Sequence, residues 1–452
     1  MDRAPLSFEL TRALLAARTA IPSDVRRKAR LHIADSVGIA LAARSTAMAA
    51  DVVRAQTLAM GPGASPFLQG GSAAPLAAAF INAAMVHILD YDDIHDEGRL
   101  HPSAVVVPAV LAVSSLVPLS DEAFVEAVAL GNELICRLGK VCAPQGEGPG
   151  AEWFLTQLFG YVAASVAASV ALGLTEEQTV SAIGLAYMQA AGGKQAGFGT
   201  GANARAVYPA FAAQGGVQAA LLAREGIIGP EGALDGAAGL FHIYLGGQLP
   251  EERRAALLDM SCWHFLDVEL KPWPSCRLSH PYIAVALAAR GQACAQPDAR
   301  IRLAVNASAA RLCRPLERRR VPRTLQDAKY SIPFMTAFTL LRGSPSLTTL
   351  DDEVLNDGEV LDAAARIELD ESLPDNPGHP QAVLTLDSAS MGRHTYRFEA
   401  SDLSVDEASA FRKFESCLAY AGLQLDAGSV WRRLMREDLV SALADVCAEK
   451  AL

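Results

Sequence analysis

A dense group of histidines and aspartates closes a stretch of chain that is otherwise almost free of charge. The run from His87 to His95 contains Asp90, and His101 follows it, directly before a Pro-Ser pair. We predict helical structure over about 72–94, which would place Asp90 on the same buried face as His87. A buried carboxylate needs a partner, and pairing with a histidine is also how a general acid or base is oriented. The run therefore predicts acid–base chemistry at His101, with Asp90 orienting its side chain.

Two other interpretations of the same run remain open. In a helix, Asp92 and Asp93 would point away from Asp90, so the run could be a helix end that carries a solvated acidic cluster. The density of Asp and His could also indicate a metal site. The residues follow no recognisable metal-ligand spacing, however, and we predict neither a metal nor any other cofactor.

A lysine turn forms a second group. Lys271 begins the run Lys-Pro-Trp-Pro-Ser-Cys-Arg, in which two prolines flank a tryptophan. The prolines restrict the backbone, so Lys271 and the backbone of Ser275 and Cys276 would be presented rigidly. A fixed cation next to backbone donors is what binding a carboxylate or an enolate requires. The alternative interpretation is a structural linker with an exposed lysine.

A glycine-rich loop forms the third group. It begins at Gly192, ends at Pro209, and includes Lys194, Arg205 and Tyr208. Glycines allow a ligand to approach the backbone closely, and the N-terminus of the following helix attracts anions. The loop matches neither a phosphate loop nor a dinucleotide fingerprint, so no nucleotide is expected. We take its lysine, arginine and tyrosine as candidate substrate-binding residues.

The elements that must position these groups are mostly helical. The chain has 452 residues, of which 51% are hydrophobic and only 6% aromatic, and its first two thirds are rich in alanine. Small residues suit tightly packed helices. Pro22-Ser23-Asp24 is typical of a turn and N-cap before a helix over Val25–Ala43. Further helices are predicted over about 104–118, 121–140, 154–173, 175–191, 209–225 and, after a break, from Val405 onward.

The pattern changes near Lys271. Short segments of alternating polarity, each bounded by Pro, Asn, Asp or Gly, predict strands. They are Arg300–Val305, Ala365–Leu369, Gln381–Leu386 and His394–Phe398. We therefore predict a mainly α fold, with a large all-helical domain and a smaller inserted α+β lid domain. The predicted bounds are 1–268 for the first part of the helical domain, 269–401 for the lid, and 402–452 for helices that return to the helical domain.

Charge and composition exclude several classes of protein. A net charge of −11 argues against nucleic-acid binding, which needs a basic surface. The scattered cysteines and the lack of a signal-peptide stretch after Met1 predict free thiols and a cytoplasmic protein. Residues from Phe154 to Leu174 carry no charge, but polar residues interrupt them. We therefore expect a helix buried in the protein core rather than a membrane span.

Taken together and in order, five segments resemble the MmgE/PrpD family, whose members include 2-methylcitrate dehydratase, cis-aconitate decarboxylase and iminodisuccinate epimerase. The resemblance covers nearly the whole chain. The segments are Leu31–Ala40, His87–Asp93 with the His-Pro-Ser run at His101, the Lys271 turn, Lys329–Phe334 and Phe411–Phe414.

The resemblance implies a homodimer and a cofactor-independent site in a cleft between the two domains, acting on a small polycarboxylate. The family's site aspartate corresponds to Asp90, its histidine to His101 and its lysine to Lys271. An aromatic residue of the smaller domain corresponds to Tyr330. In the reaction that this implies, His101 moves a proton on the carbon beside a carboxylate. Lys271 and Arg205 would then stabilise the resulting enolate.

Three departures from the family pattern affect the choice of substrate. Decarboxylase-like and dehydratase-like members usually have a histidine where this chain has Phe154, a threonine at Ile94, and a histidine at Tyr208. We predict a lyase of the dehydratase type that acts on a hydroxy-di- or tricarboxylate. The alternatives are an epimerase, isomerase or decarboxylase of a related acid, and a paralogue that binds without catalysis.

Overall fold

Alanine-rich, apolar segments of this chain form α-helices, because small and unbranched side chains lose little freedom there. The computed structural model describes residues 3–142, 151–197, 202–247, 249–290, 299–374, 381–390, 392–436 and 438–449. Residues 198–201 of the predicted glycine-rich loop lie outside these residues.

Most of the regular structure is helical, with one strand pair early in the chain and four strands after Lys271. The α-helices are α1 (Leu6–Arg18), α2 (Ser23–Ala43), α3 (Ala47–Met60), α4 (Pro75–His87), α5 (Ser103–Val113), α6 (Asp121–Arg137), α7 (Leu155–Leu172), α8 (Glu176–Tyr187), α9 (Tyr208–Arg224), α10 (Leu240–Tyr244), α11 (Glu251–Leu258), α12 (His280–Ala289), α13 (Ala307–Ala310), α14 (Leu316–Arg320), α15 (Leu325–Lys329), α16 (Ile332–Arg342), α17 (Gly358–Ala365), α18 (Glu407–Tyr420), α19 (Ala427–Arg436) and α20 (Leu439–Ala448). The strands are β1 (Ser65–Phe67), β2 (Gly71–Ala73), β3 (Arg300–Ala304), β4 (Ile367–Asp370), β5 (Val383–Ser388) and β6 (Gly392–Arg397). A π-helical turn covers Leu138–Cys142, and 3-10 turns cover Lys194–Gly197, Ala204–Ala206, His264–Asp267, Arg277–Ser279, Asp352–Asn356 and Ala400–Leu403.

The first of two compact units is mainly helical and also contains the antiparallel strand pair β1–β2. It comprises Met1–Phe198, Ala204–Leu270 and Glu407–Leu452. Helix α7 is long and apolar enough to cross a membrane, but every one of its residues is buried inside the protein, as predicted for a core helix. Gly216 of α9 lets the two helices approach closely, since a Cβ there would lie 2.7 Å from the backbone nitrogen of Ser165.

The second unit combines helices with a small sheet. It comprises Gly199–Asn203 and Lys271–Asp406. The sheet has the strand order β4-β3-β5-β6, with β3 parallel to β4 and the other pairs antiparallel. Leu303 of β3 lies beside Leu369 on one side and Leu384 on the other. These strands confirm the four predicted strands to within two residues, and the mainly α fold with a smaller α+β part is confirmed.

Several predicted helix bounds are wrong, and the reasons are local. Helix α2 begins at Ser23, so Pro22 rather than the Ser-Asp pair stands at the cap position. Proline suits that place because its missing N–H has no helical partner there. Helix α4 ends at His87, well before the predicted end near residue 94. The C-terminal region after Val405 forms the three helices α18, α19 and α20.

Candidate active site

The chain leaves α4 through a strained turn that buries three carboxylates. The amide of Asp90 donates to the carbonyl of His87 over 2.9 Å, and Asp90 has a φ of 55°. This left-handed conformation is uncommon for a residue with a side chain. Asp90, Asp92 and Asp93 are 1%, 1% and 2% exposed. The interpretation of the run as a solvated acidic cluster is therefore wrong. The helical register on which it depended does not apply, because α4 ends at His87.

His101 is held in one orientation by the backbone of this turn. Its Nδ1 lies 2.6 Å from the carbonyl oxygen of Asp93. A carbonyl oxygen can only accept, so Nδ1 carries the hydrogen and Nε2 is the basic nitrogen of the neutral ring. The amide of His101 donates to Thr156 Oγ1 over 3.0 Å. His101 is thus prepared to take or give a proton at Nε2.

A second histidine completes the buried cluster. His87 Nδ1 lies 2.8 Å from Asp92 Oδ2, and the same oxygen lies 3.4 Å from His101 Nδ1. The ring of His87 meets the rings of His101 and Tyr208 edge to face, with centroids 5.1 and 4.9 Å apart. Asp92 and the Asp93 carbonyl therefore orient His101. The predicted orienting role of Asp90 stays a prediction.

Tyr208 stands beside this cluster with its phenol kept protonated. Burial raises the pKa of Tyr208 well above its ordinary value, and the carboxylates of Asp92 and Asp90 add to the rise. A hydrogen bond with Thr156 and the charge of Arg205 oppose it. A phenol that stays protonated can donate a proton or a hydrogen bond, but it cannot serve as a resting base.

A small pocket in the helical unit brings together four predicted residues from distant parts of the chain. It has a volume of about 100 Å³. Its lining residues are Arg99, His101, Ala151, Trp153, Phe154, Leu155, Thr156, Lys194, Arg205 and Tyr208. Three of these side chains are cationic and none is acidic. The pocket therefore suits a small anion, despite the negative net charge of the whole chain.

Phe154, which is expected to stand where family members usually have a histidine, is packed into the wall of this pocket. Phe154 stacks on Tyr208, with ring centroids 4.3 Å apart and an angle of 18° between the planes. The guanidinium carbon of Arg205 lies 5.6 Å from the centroid of the Phe154 ring. Gly197 keeps room for both, since a Cβ there would lie 3.3 Å from Phe154 and 3.4 Å from Arg205. The stack thus fixes Tyr208 and the cation together.

His87, Asp92 and the partly exposed His101 could also bind a cation. One ligand atom each from His87, Asp92 and His101 lies within 4.8 Å of the others. Sequence spacing did not indicate this group, because its members meet only after α4 has ended. The nitrogen–oxygen distances between His87 and Asp92 and between His101 and the Asp93 carbonyl are those of hydrogen bonds.

The remaining predicted residues lie in the second unit. Lys271 is only 1% exposed, so the interpretation as an exposed linker lysine is wrong. Its turn is held by Trp273, whose Nε1 donates to Ser344 Oγ over 2.9 Å. Ser275 Oγ lies 2.9 Å from Ser279 Oγ.

The turn also adjoins the segment that contains Tyr330. The amide of Cys276 donates to the carbonyl of Lys329 over 3.2 Å. Tyr330 is buried and its carbonyl accepts from Arg319 Nη1 over 3.0 Å. The lysine turn and the predicted aromatic residue are therefore neighbours within this unit.

Six of the ten lining residues were not predicted as site residues, among them Thr156 and Arg99. Thr156 is an uncharged residue inside a helix, and nothing in its spacing marks it. Arg99 has a φ of 53°, in a tight turn closed by the amide of Gly98, which donates to His95 Nδ1 over 2.9 Å. A positive charge two residues before His101 could have identified Arg99 as a site residue.

Two protein-family models together match most of the chain. Models of the MmgE/PrpD N-terminal domain and of the MmgE/PrpD C-terminal domain match residues 13–253 and 273–418. A cis-aconitate decarboxylase from Aspergillus terreus is 29% identical over 271 residues, which are 58% of this chain and 55% of that protein. The corresponding mouse protein is 27% identical over 312 residues, 67% of this chain and 62% of its own length.

A third relative matches a shorter part of the chain more closely. A cis-aconitate decarboxylase-like protein from Aspergillus oryzae is 34% identical over 179 residues, which are 37% of this chain and 36% of that protein. The matched region thus spans little more than half the length of the first relatives.

Proposed function

Because the chain belongs to the MmgE/PrpD family, we propose that it is a lyase of the dehydratase type acting on a small polycarboxylate without a cofactor. Its chemistry is the removal of a proton from the carbon next to a carboxylate. The observation that carries the proposal is the small pocket in which His101 stands with Arg99, Lys194 and Arg205, and in which none of the described lining residues is acidic.

The three cations account for the class of substrate. A carboxylate loses much of its hydration when it enters a pocket of about 100 Å³, and fixed cations must replace that hydration. Arginine can bind a carboxylate with two parallel hydrogen bonds, whereas lysine acts as a point charge. Three cations, one at Arg99 and two on the glycine-rich loop, suit a substrate that carries more than one carboxylate.

The proton chemistry follows from the orientation of His101. Its Nε2 takes the proton, and the electron pair left on carbon moves into the adjacent carboxylate. Arg205 and Lys194 stabilise the enolate-like dianion that results. In the dehydratase reaction hydroxide leaves the neighbouring carbon, accepts a proton from Tyr208 and departs as water, so that an alkene remains. The prediction that Lys271 and Tyr330 share in this reaction rests on the family resemblance.

Two other outcomes begin with the same pocket. Return of a proton to the opposite face of the enolate would make the protein an epimerase. A decarboxylase reaction, named for the relatives, is disfavoured here because Phe154 supplies no proton where family members usually have a histidine. A paralogue that binds without catalysis would need the cations to hold the acid. It would not need a histidine whose Nε2 is kept basic by a hydrogen bond from Nδ1 to the Asp93 carbonyl.

A panel of acids separates these outcomes. Purified protein is incubated in deuterium oxide with hydroxy-di- and tricarboxylates, their alkene products and aspartate-like acids. Alkene formation is followed by ultraviolet absorbance, carbon dioxide release by a coupled assay and deuterium uptake by mass spectrometry. We expect alkene formation with at least one hydroxy acid. Deuterium uptake without an alkene would favour the epimerase, and binding without exchange or conversion would contradict the enzyme proposal.

A further inference from the structure

A buried lysine near the end of the chain contacts the turn that carries the site carboxylates. Lys413 of α18 has a side chain only 5% exposed, and its Nζ lies 2.8 Å from Asp35 Oδ1. The same nitrogen donates to the carbonyl oxygen of Tyr91 over 2.8 Å. It also lies 3.9 Å from the centroid of the Tyr91 ring. An ammonium group removed from water persists only where such partners replace its hydration.

The Tyr91 carbonyl lies next to a strained part of the backbone. It follows Asp90, whose φ of 55° lies in the left-handed region. A conformation of this kind persists only where the surrounding structure imposes it. Lys413 imposes this conformation of Asp90 from the side of the protein core, because it holds the carbonyl oxygen of Tyr91, the next residue. Without that contact the turn would be free to relax toward ordinary backbone angles.

A second set of contacts connects the same lysine to His101. Asp35 and His32 are one turn apart on α2, and His32 Nδ1 lies 2.7 Å from Asp93 Oδ2. Asp93 Oδ1 accepts from the amide of Ser103 over 3.2 Å, and the Asp93 carbonyl accepts from His101. Burial raises the pKa of Asp35, and the charge of Lys413 offsets part of that rise. The lysine is thus connected to the proposed base through Asp35, the turn of α2 that joins Asp35 to His32, and Asp93.

We infer that Lys413 is a positioning residue: with Asp35 it holds the Asp90–Asp93 turn in the shape that orients His101 for proton transfer. This inference deepens the proposed function and rests on it. It also gives a physical reason for the return of the C-terminal helices to the helical unit, because the contact joins residues 322 positions apart.

Three variants separate positioning from plain stabilisation. Lys413→Met removes the ammonium group at similar volume, and Asp35→Asn with Lys413→Met removes both charges in case the single variant fails to fold. Leu418→Ala is the matched control, since it weakens the packing of the same helix at a buried residue that is 3% exposed. Unfolding temperature, kcat and KM are measured for each on the best substrate of the panel.

The expected result is a selective loss of turnover. A misplacement of the base by about 1 Å costs on the order of 10²-fold in rate, so we expect kcat to fall roughly 10- to 100-fold in both lysine variants. KM should stay within about twofold, because Arg99, Lys194 and Arg205 are untouched. Leu418→Ala should lower the unfolding temperature by a similar amount but leave kcat unchanged. Unchanged kcat in the double variant, or an equal fall in the control, would overturn the inference.

A substrate-free measurement keeps this test separate from the proposed function. In protein labelled with nitrogen-15 histidine, the ring nitrogens of His101 report its tautomer, with His101→Gln used to assign the signal. We expect the wild-type ring to carry its hydrogen on Nδ1 and the lysine variants to show a mixture of tautomers. The same spectrum in wild type and variants would contradict positioning, even if no acid in the panel reacts.

Discussion

At the residue scale, the orientation of His101 depends on a main-chain carbonyl. The acceptor for its Nδ1 hydrogen is the Asp93 carbonyl oxygen at 2.6 Å, and no side-chain substitution can delete that oxygen. Asp92 Oδ2 adds a weaker contact at 3.4 Å. The path of the backbone between Asp90 and Asp93 therefore sets which nitrogen of the ring is basic.

His101→Gln tests the base directly. Glutamine retains hydrogen-bonding atoms but has no nitrogen that accepts a proton near neutral pH. We expect turnover to fall by roughly 10²- to 10⁴-fold, measured as alkene formation or deuterium uptake, with a circular dichroism spectrum like that of the wild type. His242→Gln, at an exposed position on α10, is the control. An unaffected rate in His101→Gln would remove this residue from the mechanism.

At the element scale, the tight turn between His95 and Leu100 depends on a neutral histidine. The Gly98 amide donates to His95 Nδ1 over 2.9 Å, and a protonated ring could not accept it. Burial is the largest cause of a lowered pKa at His95. The turn places Arg99, with its φ of 53°, in the wall of the pocket. Protonation of His95 would therefore oppose the conformation of the turn.

This dependence predicts a loss of stability in mild acid. Because the folded-state pKa of His95 lies below its unfolded value of about 6.5, its contribution is complete above that pH and is lost as pH falls through the folded pKa. His95→Asn retains an acceptor for Gly98 and does not titrate. Below about pH 6.5 we expect the free energy of unfolding to fall less steeply in the variant, by up to about 1.4 kcal/mol per pH unit.

Urea unfolding between pH 7 and pH 5 measures both slopes. Burial lowers the pKa of His264 to about 4, and the charge of His95 adds to that lowering. Both proteins therefore also carry His264→Asn, so that the difference between them isolates His95. Parallel curves for the two proteins would contradict a neutral His95 in the turn.

At the scale of the whole molecule, one face of the helical unit exposes large apolar side chains. Phe211 and Leu222 are 46% and 38% exposed. They are eleven residues apart on α9, which is close to three helical turns, so they lie on the same face of the helix. Leu58 of α3 is 89% exposed. Gln214 joins the two helices, because its Nε2 donates to Gln56 Oε1 over 3.1 Å. Exposed apolar side chains that lie together on one face can mark an interface, whereas scattered single ones are common on any protein surface.

We propose that a second copy of the chain covers this face, as the homodimer prediction requires. Phe211→Glu should then shift the mass in solution from twice the chain mass of 47.6 kDa to that of one chain, since a charge at the core of an interface is costly. Light scattering after size-exclusion chromatography measures the mass. Val321→Glu, at an apolar position that is 54% exposed, is the control and should leave it unchanged. A dimer that survives Phe211→Glu would place the interface elsewhere.

The sequence by itself determined the fold class, the four strands of the larger sheet and the buried nature of α7, because periodicity and composition are local properties of the chain. It also indicated His101, Lys194, Arg205 and Tyr208, whose side chains share one pocket. Only the tertiary structure decided which carboxylates are buried and which groups orient His101. Those facts depend on where α4 ends and on a lysine 322 residues away from Tyr91. The buried Asp90–Asp93 run, interpreted on a helical wheel, becomes a strained turn held from α2 and α18.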